Sequence, residues 1–514
     1  MALRRRALPG GDDHEAFAGP VTLQNCDREP IHTPGAIQAH GVLVSMDVQG
    51  QVLHVSTNVG EMWAVPPQPG EAWATVLPRL LPSHAALQAH LSRVPEASAL
   101  PLHEVCEMDG QVVDVIWSAH PQGLMLELET RPGMSLEAVT RQVDAIHALA
   151  GRLVRAPDLD RMLNWAVQGL RRVTGFDRVM AYRFRHDDSG EVVAEDCSAS
   201  LDPFLGRVYP ASDIPAQARR LYILKMLRGI ADVHQAPVSL LAAPDSSPLD
   251  MSQGELRSVS PIHIEYLQNM GVGASLSVSI VVQGRLWGLL ACHHMGPLRL
   301  AYPVRLALEV LAHLVGARVD TWQRERIQQR ESALAAQRAR LSLELARRED
   351  TLAVLCEQAA QWLDTWSAHG WMVVLDDAVQ ASDAALSAHW PAMSAWMSQQ
   401  PAQLVAQHDS ALWPSEGSGM AGLMALRFSD VQQAWVMLFR REQVQTLRWG
   451  GKPEKLVKIG PMGPRLTPRG SFEEWREEVK GTAVPWGSDD LALAESVRQS
   501  LHRVYAELML ERRG

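Results

Sequence analysis

Cysteine is scarce in this chain: its 514 residues include five, Cys26, Cys106, Cys197, Cys292 and Cys356, scattered singly and never as Cys-x-x-Cys. That spacing excludes a disulfide scaffold and a structural zinc site, so each thiol is expected to be reduced and no metal is expected. Long apolar runs are also missing, and no segment is expected to span a bilayer. Basic residues cluster only at Arg4-Arg5-Arg6, and Pro9-Gly10-Gly11 follows where a secretory signal would need its apolar stretch. The chain is therefore expected in the cytoplasm. With 48 basic against 58 acidic side chains, a net charge of -10, neither nucleic acid nor an anionic membrane is an expected partner. A small ligand or another protein is.

At this length three or four domains are expected, each with its own core. Residues from about Gly41 to Glu129 alternate in short runs such as Val112-Val113-Asp114-Val115-Ile116-Trp117, separated by glycine turns, which predicts helices with an antiparallel sheet. That block ends near Arg131-Pro132-Gly133. Helices are expected over Leu136–Val154 and Leu159–Val173, then strands over Arg178–Phe184, Gly190–Glu195, Ser275–Val282 and Leu286–His293. Proline and glycine are absent from Val319 to Leu355, a stretch dense in Arg, Glu, Gln, Ala and Leu, which predicts one long connecting helix. A third block runs to the C-terminus. Within it Trp449 to Trp486 is rich in Gly and Pro and too long for an ordinary connection, so it reads as a functional element or a surface hairpin.

Six places carry chemistry. In Tyr209-Pro210-Ala211-Ser212-Asp213-Ile214-Pro215 the second proline pushes Ile214 toward extended backbone, and Ser212 or Asp213 is placed to cap a helix starting at Pro215. Ser260-Pro261-Ile262-His263 opens a short helix with Ser260 at its N-cap and His263, Leu267 and Met270 on one face, where a histidine is ordinarily a core residue. Ser275, Ser277 and Ser279 share one face of a strand, a hydroxyl row suited to solvent or to a carboxylate. Arg228 and Arg257 are candidate bidentate partners for such an anion. Cys292-His293-His294 ends a strand, and because neighbours there face opposite ways, at most one histidine enters any pocket. Cys26 sits in a polar segment, where a lone thiol is a nucleophile only if its pKa is lowered and otherwise a bystander.

Taken together, Cys26 with Pro34-Gly35-Ala36-Ile37-Gln38-Ala39-His40-Gly41, the Asp213-Ile214-Pro215 stretch, the Ser260–His263 helix, the Cys292-His293 strand and Pro468-Arg469-Gly470-Ser471-Phe472 resemble the photosensory part of bacterial phytochromes. The resemblance covers the whole chain and implies a mixed α/β (α+β) fold: PAS, GAF and PHY domains in tandem, each an antiparallel sheet with helices, joined by long helices. Its implied limits are an N-terminal segment 1–40, PAS 41–131, GAF 132–318, a connecting helix 319–355 and PHY 356–514 with a tongue at about 446–486. It further implies that the N-terminal segment threads a loop of the GAF domain as a knot.

The implied cofactor is biliverdin IXα, thioether-linked to Cys26, since Ile262 stands where plant-type relatives carry their cysteine. His263 would lie above the tetrapyrrole, Arg228, Arg257, Ser275 and Ser277 would hold its propionates, and His293, Tyr182 and Tyr209 would surround its D ring. Tyr222, Ser260 and Tyr266 complete the matched set. Light would isomerise the bridge between rings C and D and rotate ring D. The tongue would then refold, with Asp213 paired to Arg469 in one state and to Ser471 in the other. A homodimer and a downstream histidine kinase or response regulator are the implied partners, and no enzyme activity is expected of the chain itself. Two other classes compete: a thiol hydrolase using Cys26 with His32 or His40, and a GAF module binding a cyclic nucleotide without light sensing.

Overall fold

The computed structural model describes residues 29–80, 102–108, 110–131, 133, 135–347, 350–400, 402–429, 431–443, 445–451, 456–460, 463–467 and 472–511. These divide into two compact units, one holding the chain to Val319 together with Trp449–Trp475, the other Asp320–Arg448 with Arg476 onward.

In the first unit the alternating runs of the N-terminal block form an antiparallel sheet. The strands Leu102–Met108, Gln111–His120, Gly123–Thr130, Gly41–Asp47 and Val52–Ser56 lie side by side in that order. Val42, Val44, Val115, Trp117, Leu126 and Leu128 pack from one face into a shared core. Two further strands belong to this sheet. Val238–Ala242, nearly two hundred residues downstream, pairs with Val52–Ser56, and Ala36–Ile37 pairs with its other edge. This explains why the first two sequence blocks form one compact unit: a segment of the second block completes the sheet of the first. The segment from Glu29 to Gln38 is fastened there through Ser258 N–H to Ala36 O, Met251 N–H to His32 O and Gln38 N–H to Leu256 O. The expected knot rests on residues before Glu29, which lie outside the described residues.

Helix Leu136–Val154 is capped by the Ser135 hydroxyl, which accepts from Ala138 N–H. Helix Leu159–Thr174 is capped by Asp158 and terminated by Gly175 at φ +78°, a left-handed position that favours glycine. Val167 and Leu170 bury its apolar face. Beside it the second sheet runs Leu227–Ile230, Ala274–Val282, Arg285–His294, Arg178–Phe184, Gly190–Cys197 and Arg207–Tyr209, extended by the ends of Gln445–Gly450 and Glu474–Val479 that fall in the same unit. Between them the backbone of Leu456–Gly460 pairs with Gly463–Thr467 as an antiparallel hairpin.

In the second unit the strands Ala378–Ala381, Gly370–Leu375, Ala434–Arg441, Met420–Arg427 and Leu404–Gln407 form a five-stranded antiparallel sheet. Both of its faces are covered, one by Trp362, Trp366, Leu493 and Val497, the other by Leu386, Met393 and Trp413.

The single helix expected over Val319 to Leu355 is instead two. Tyr302–Arg347 starts well before that stretch, and a new helix, Thr351–Trp366, begins after Asp350, whose carboxylate accepts from Ala353 N–H. An aspartate followed by an apolar run is a start signal. A continuous count of helix-forming residues passes over it.

Candidate functional site

The site is built on the face of the second sheet that carries Met180, Tyr182, Tyr209, Leu289 and His293. On Arg178–Phe184 the period-two alternation places Met180 and Tyr182 together, and with Val192, Phe204, Tyr209 and Leu289 they form one buried cluster. Ring centroids are 6.1 Å apart for Tyr182 and Tyr209, 5.3 Å for Tyr182 and Phe184 and 6.3 Å for Phe204 and Tyr209. Each such pair adds roughly 0.5–1.5 kcal/mol beyond area burial. Gly190 is required by this packing, since a Cβ there would come within 1.8 Å of Tyr182 Cζ. Phe204 lies between the guanidiniums of Arg178, 3.7 Å from its centroid, and Arg207, at 4.6 Å.

His293 stands opposite Ser275 on one neighbouring strand and Arg178 on the other. Burial, with the charge of Arg178, pushes its pKa down to about 3, so the ring is neutral. His263 is likewise held down, to about 4, by burial and by Arg228. His294 points elsewhere, with Nε2 3.6 Å from Asp177, in keeping with the alternation of a strand.

The turn Ala211–Asp213 precedes helix Ala216–Leu224, and neither Ser212 nor Asp213 caps that helix as expected: Pro215 is the N-cap residue and no side chain bonds the first turn. The Asp213 carboxylate turns instead toward the pocket, where Oδ2 accepts from the Tyr266 hydroxyl at 3.2 Å. Ile214, at φ −127° and ψ 85°, packs on the aromatic cluster. The Tyr266 ring stacks against His263, centroids 6.1 Å apart, and meets Phe472 edge to face at 5.1 Å. Arg207 donates to the Phe472 carbonyl at 2.9 Å. Gly450 packs so closely on Tyr209 that a Cβ would lie 2.5 Å from the ring. Residues 204–209 thus touch both ends of the segment 449–475. Cys26, Arg469 and Ser471, on which three sequence expectations rest, lie outside the described residues.

At the other end of the site Arg228 donates to the carbonyl oxygens of Arg257 and, at 3.0 Å, Ser258. Arg257 donates to Ile31 O at 2.7 Å. Neither has a carboxylate partner among the described residues. Burial and the like charge of Arg257 bring the Arg228 pKa down to about 9, and burial lowers that of Arg257. Ser260 occupies the N-cap position of helix Pro261–Asn269 without capping it. Its hydroxyl donates to Glu29 Oε2 at 2.7 Å, and burial raises the Glu29 pKa against that bond. The solvent-facing reading of the serine row fails: Ser277 and Ser279 are buried, and Ser277 donates to the Tyr222 hydroxyl at 3.4 Å.

Tyr209 Oη, His293 Nδ1, Ser279 Oγ and Arg257 Nε are all buried with no hydrogen-bond partner among the described residues. Leaving such groups bare costs roughly 1–3 kcal/mol each. The residues present therefore fit an extended ligand with an anionic, two-carboxylate end at Arg228 and Arg257 and a polar, aromatic-caged end at His293 and Tyr209. No group of three metal-binding side chains occurs among the described residues. The four described cysteines are free, and burial raises every thiol pKa, for Cys292 up to about 12 and for Cys106 and Cys356 to about 11. None is poised as a nucleophile. His40, at about 3 through burial and the charge of Arg299, is a weak base for any thiol chemistry.

Sequence reading missed Met180, Phe204, Arg207, Leu289 and Gly190. The alternation that singled out Tyr182 also marks Met180. Phe204 and Arg207 lie in a connecting segment without periodicity, and no local signal marks them.

With this geometry in view, family models match in tandem: a PAS fold over residues 26–131, a GAF domain over 158–319 and a phytochrome region over 334–509. The chain is 41% identical to a bacteriophytochrome of Pseudomonas aeruginosa over 94% of its own length and 66% of that relative's. It is 31% identical to a bacteriophytochrome of Xanthomonas campestris pv. campestris, over 96% of this chain and 80% of that one. The Stigmatella aurantiaca phytochrome photosensory core module superposes with a TM-score of 0.80 at 34% identity, covering 95% of this chain and 99% of that one. A bacteriophytochrome crystal structure from R. palustris gives 0.79 at 33%, covering 94% and 99%. The tandem modules thus define the PAS-GAF-PHY class. The chain belongs to the bacteriophytochromes and is a photosensory module of that family. It spans about two thirds, 66%, of the length of the first of these relatives.

Proposed function

We propose that this chain is the light-sensing part of a red/far-red photoreceptor that binds biliverdin IXα, thioether-linked to Cys26. The observation that carries the reading is the half-buried Arg228 and buried Arg257, without a carboxylate among the described residues, at one end of a site whose other end holds neutral His293 and a Tyr209 hydroxyl with no partner among those residues. Two propionates supply the missing anions. Bound biliverdin supplies red absorption and light-driven isomerisation at its C–D methine bridge. Arg228, Arg257, Ser275 and Ser277 hold the propionate end fixed, and His263 and Tyr222 line the middle. Tyr182, Tyr209 and His293 form a close-packed cage with a neutral ring-nitrogen donor or acceptor, which confines movement to one ring. Asp213, with Tyr266, Ile214 and Pro215 about it, reports that movement to the tongue by exchanging Arg469 for Ser471. Ser260, bonded to Glu29, ties the segment that carries Cys26 to the pocket helix.

The limits we assign are PAS 41–131, GAF 132–318 and PHY 356–514, with the tongue at about 446–486. The module acts in the cytoplasm as a homodimer, upstream of a histidine kinase or response regulator. Among the described residues no helix is long and apolar enough to cross a membrane. A cyclic-nucleotide-binding GAF module is not favoured, because the matches extend through the phytochrome region.

Protein produced with biliverdin should absorb red light and change its spectrum reversibly on red and far-red illumination. Cys26→Ala should keep bound pigment and release it on denaturation. Pigment that survives denaturation in that variant would overturn the attachment site, and a colourless wild-type protein would overturn the function.

A further inference from the structure

Arg228 and Arg257 lie on different segments, and a dianion is gripped well only if their spacing is fixed. Arg228 sits on strand Leu227–Ile230, an edge of the second sheet whose other side pairs with Ala274–Val282. Arg257 follows the loop that ends at Leu256. One residue bonds to both segments, at positions beside the arginines. The Gln38 side chain donates through Nε2 to Gly229 O at 3.0 Å and accepts through Oε1 from Ala231 N–H at 3.2 Å, bracketing the free edge of the strand beside Arg228 as a neighbouring strand would. Its backbone N–H donates to Leu256 O at 2.7 Å, next to Arg257, and the preceding residue, Ile37, forms a β-bridge with Arg257 itself.

We infer that Gln38 is a positioning residue for carboxylate recognition, a staple that sets the distance between Arg228 and Arg257 and so tunes the site to a ligand with two carboxylates. This rests on the reading of the arginines given above. An amide suits this role because at any ordinary pH it presents a donor and an acceptor side by side without charge, and a charged group here would compete with the ligand's own anions. Gln38 bonds to Gly229, Ala231 and Leu256, none of them a member of the aromatic cluster of Tyr182 and Tyr209. Its effect should therefore follow the ligand's carboxylates and leave the rest of the molecule unread.

The test is equilibrium binding, followed by absorption, of biliverdin and of its dimethyl ester to protein in the Cys26→Ala background, where binding is reversible. Gln38→Ala should weaken biliverdin binding about tenfold, as when the supporting partner of a ligating group is removed, and leave the ester's affinity unchanged. In an Arg228→Ala background the Gln38 substitution should have no further effect on biliverdin, because the two act through one interaction. An equal loss for acid and ester would show a merely structural role and overturn the inference, as would no loss for either. If Gln38→Ala does not fold, Gln38→Glu decides: it keeps the acceptor for Ala231, loses the donor to Gly229, and should discriminate against the diacid more strongly than against the ester. Parent protein that binds acid and ester equally would overturn the assignment of the arginines to propionates, a result separable from any outcome at Gln38.

Discussion

Arg440 in the second unit and the pair Arg228 and Arg257 in the first are held in opposite ways. In the second, Arg440 ends a central strand and reaches four protein acceptors: Trp366 O at 2.7 Å, Pro485 O at 2.8 Å, Val484 O at 3.0 Å and Asp490 Oδ2 at 3.2 Å. Its guanidinium lies over the Trp486 ring, 3.7 Å from the centroid. Asp490 in turn receives Arg330 at 2.6 Å and the Gly487 N–H, so that the sheet, the long helix and the start of helix Ser488–Glu511 meet at one carboxylate. In the first unit Arg228 and Arg257 are bonded, among the described residues, only to carbonyls. A buried cation that the protein neutralises is architecture. Where the described residues offer only carbonyls, as at Arg228 and Arg257, a ligand's carboxylate is the anion we propose.

That contrast is broken most directly by removing the arginines. Arg440→Ala should cost roughly 3–5 kcal/mol in denaturant unfolding, since it strips a buried pair and strands several carbonyls. Arg228→Met should leave the ligand-free protein within about 1 kcal/mol of the parent, because no protein carboxylate is abandoned. Equal losses at the two positions would erase the distinction.

A similar contrast exists inside the pocket. Gly190→Ala drives a methyl into the Tyr182 ring and should destabilise by about 1–3 kcal/mol. Gly229→Ala, where the nearest atom is Leu276 Cδ1 at 3.8 Å, should be tolerated. Thermal unfolding with near-ultraviolet circular dichroism would read both, and a stable Gly190 variant with native tyrosine signals would mean that the aromatic end is not tightly packed.

Arg207→Ala removes the bond to the Phe472 carbonyl, a loss of about 1 kcal/mol that should raise opening of the 449–475 segment about fivefold. Limited proteolysis of the ligand-free protein checks this, and an unchanged cleavage rate would free residues 204–209 from any role in holding the segment.

The smallest effect expected is at His389. Its two ring nitrogens each lie 2.6 Å from a carbonyl oxygen, of Ala385 and of Glu416, so both must carry a proton, and these bonds raise its pKa. A raised folded-state pKa gives stability that is fully present below the unfolded value of 6.5 and is lost as pH rises through the folded one. The stability gap between parent and His389→Ala should therefore close on the alkaline side, and a gap independent of pH would rule out the imidazolium.

Much of this molecule is legible in its sequence. Helix Leu136–Val154 and strand Arg178–Phe184 follow from periodicity, because each buries one face and must repeat at its own period. Tyr182 and Tyr209 share one buried cluster, and His293 stands on the neighbouring strand opposite Ser275. What stayed hidden depends on distant partners. Val238–Ala242 is short, half exposed and carries no alternation of its own, and it becomes a strand because Val52–Ser56 offers it an edge. Ser260 holds the cap position by sequence rule, yet spends its hydroxyl on Glu29, a partner 231 residues away. Arg440 at a strand end is indistinguishable from a solvent-facing residue until Asp490 is seen beside it.

The shared seven-stranded sheet has a consequence for how the chain is made. Translation releases Val52–Ser56 long before Val238–Ala242 exists, so the nascent N-terminal domain waits with an open edge of unpaired N–H and carbonyl groups. Such an edge is a template for any other extended segment, including the same strand on a neighbouring ribosome's product. A fragment ending near Arg131 would keep that edge open, and the sheet is complete only once the chain has been synthesised through Ala242 and has returned to close it.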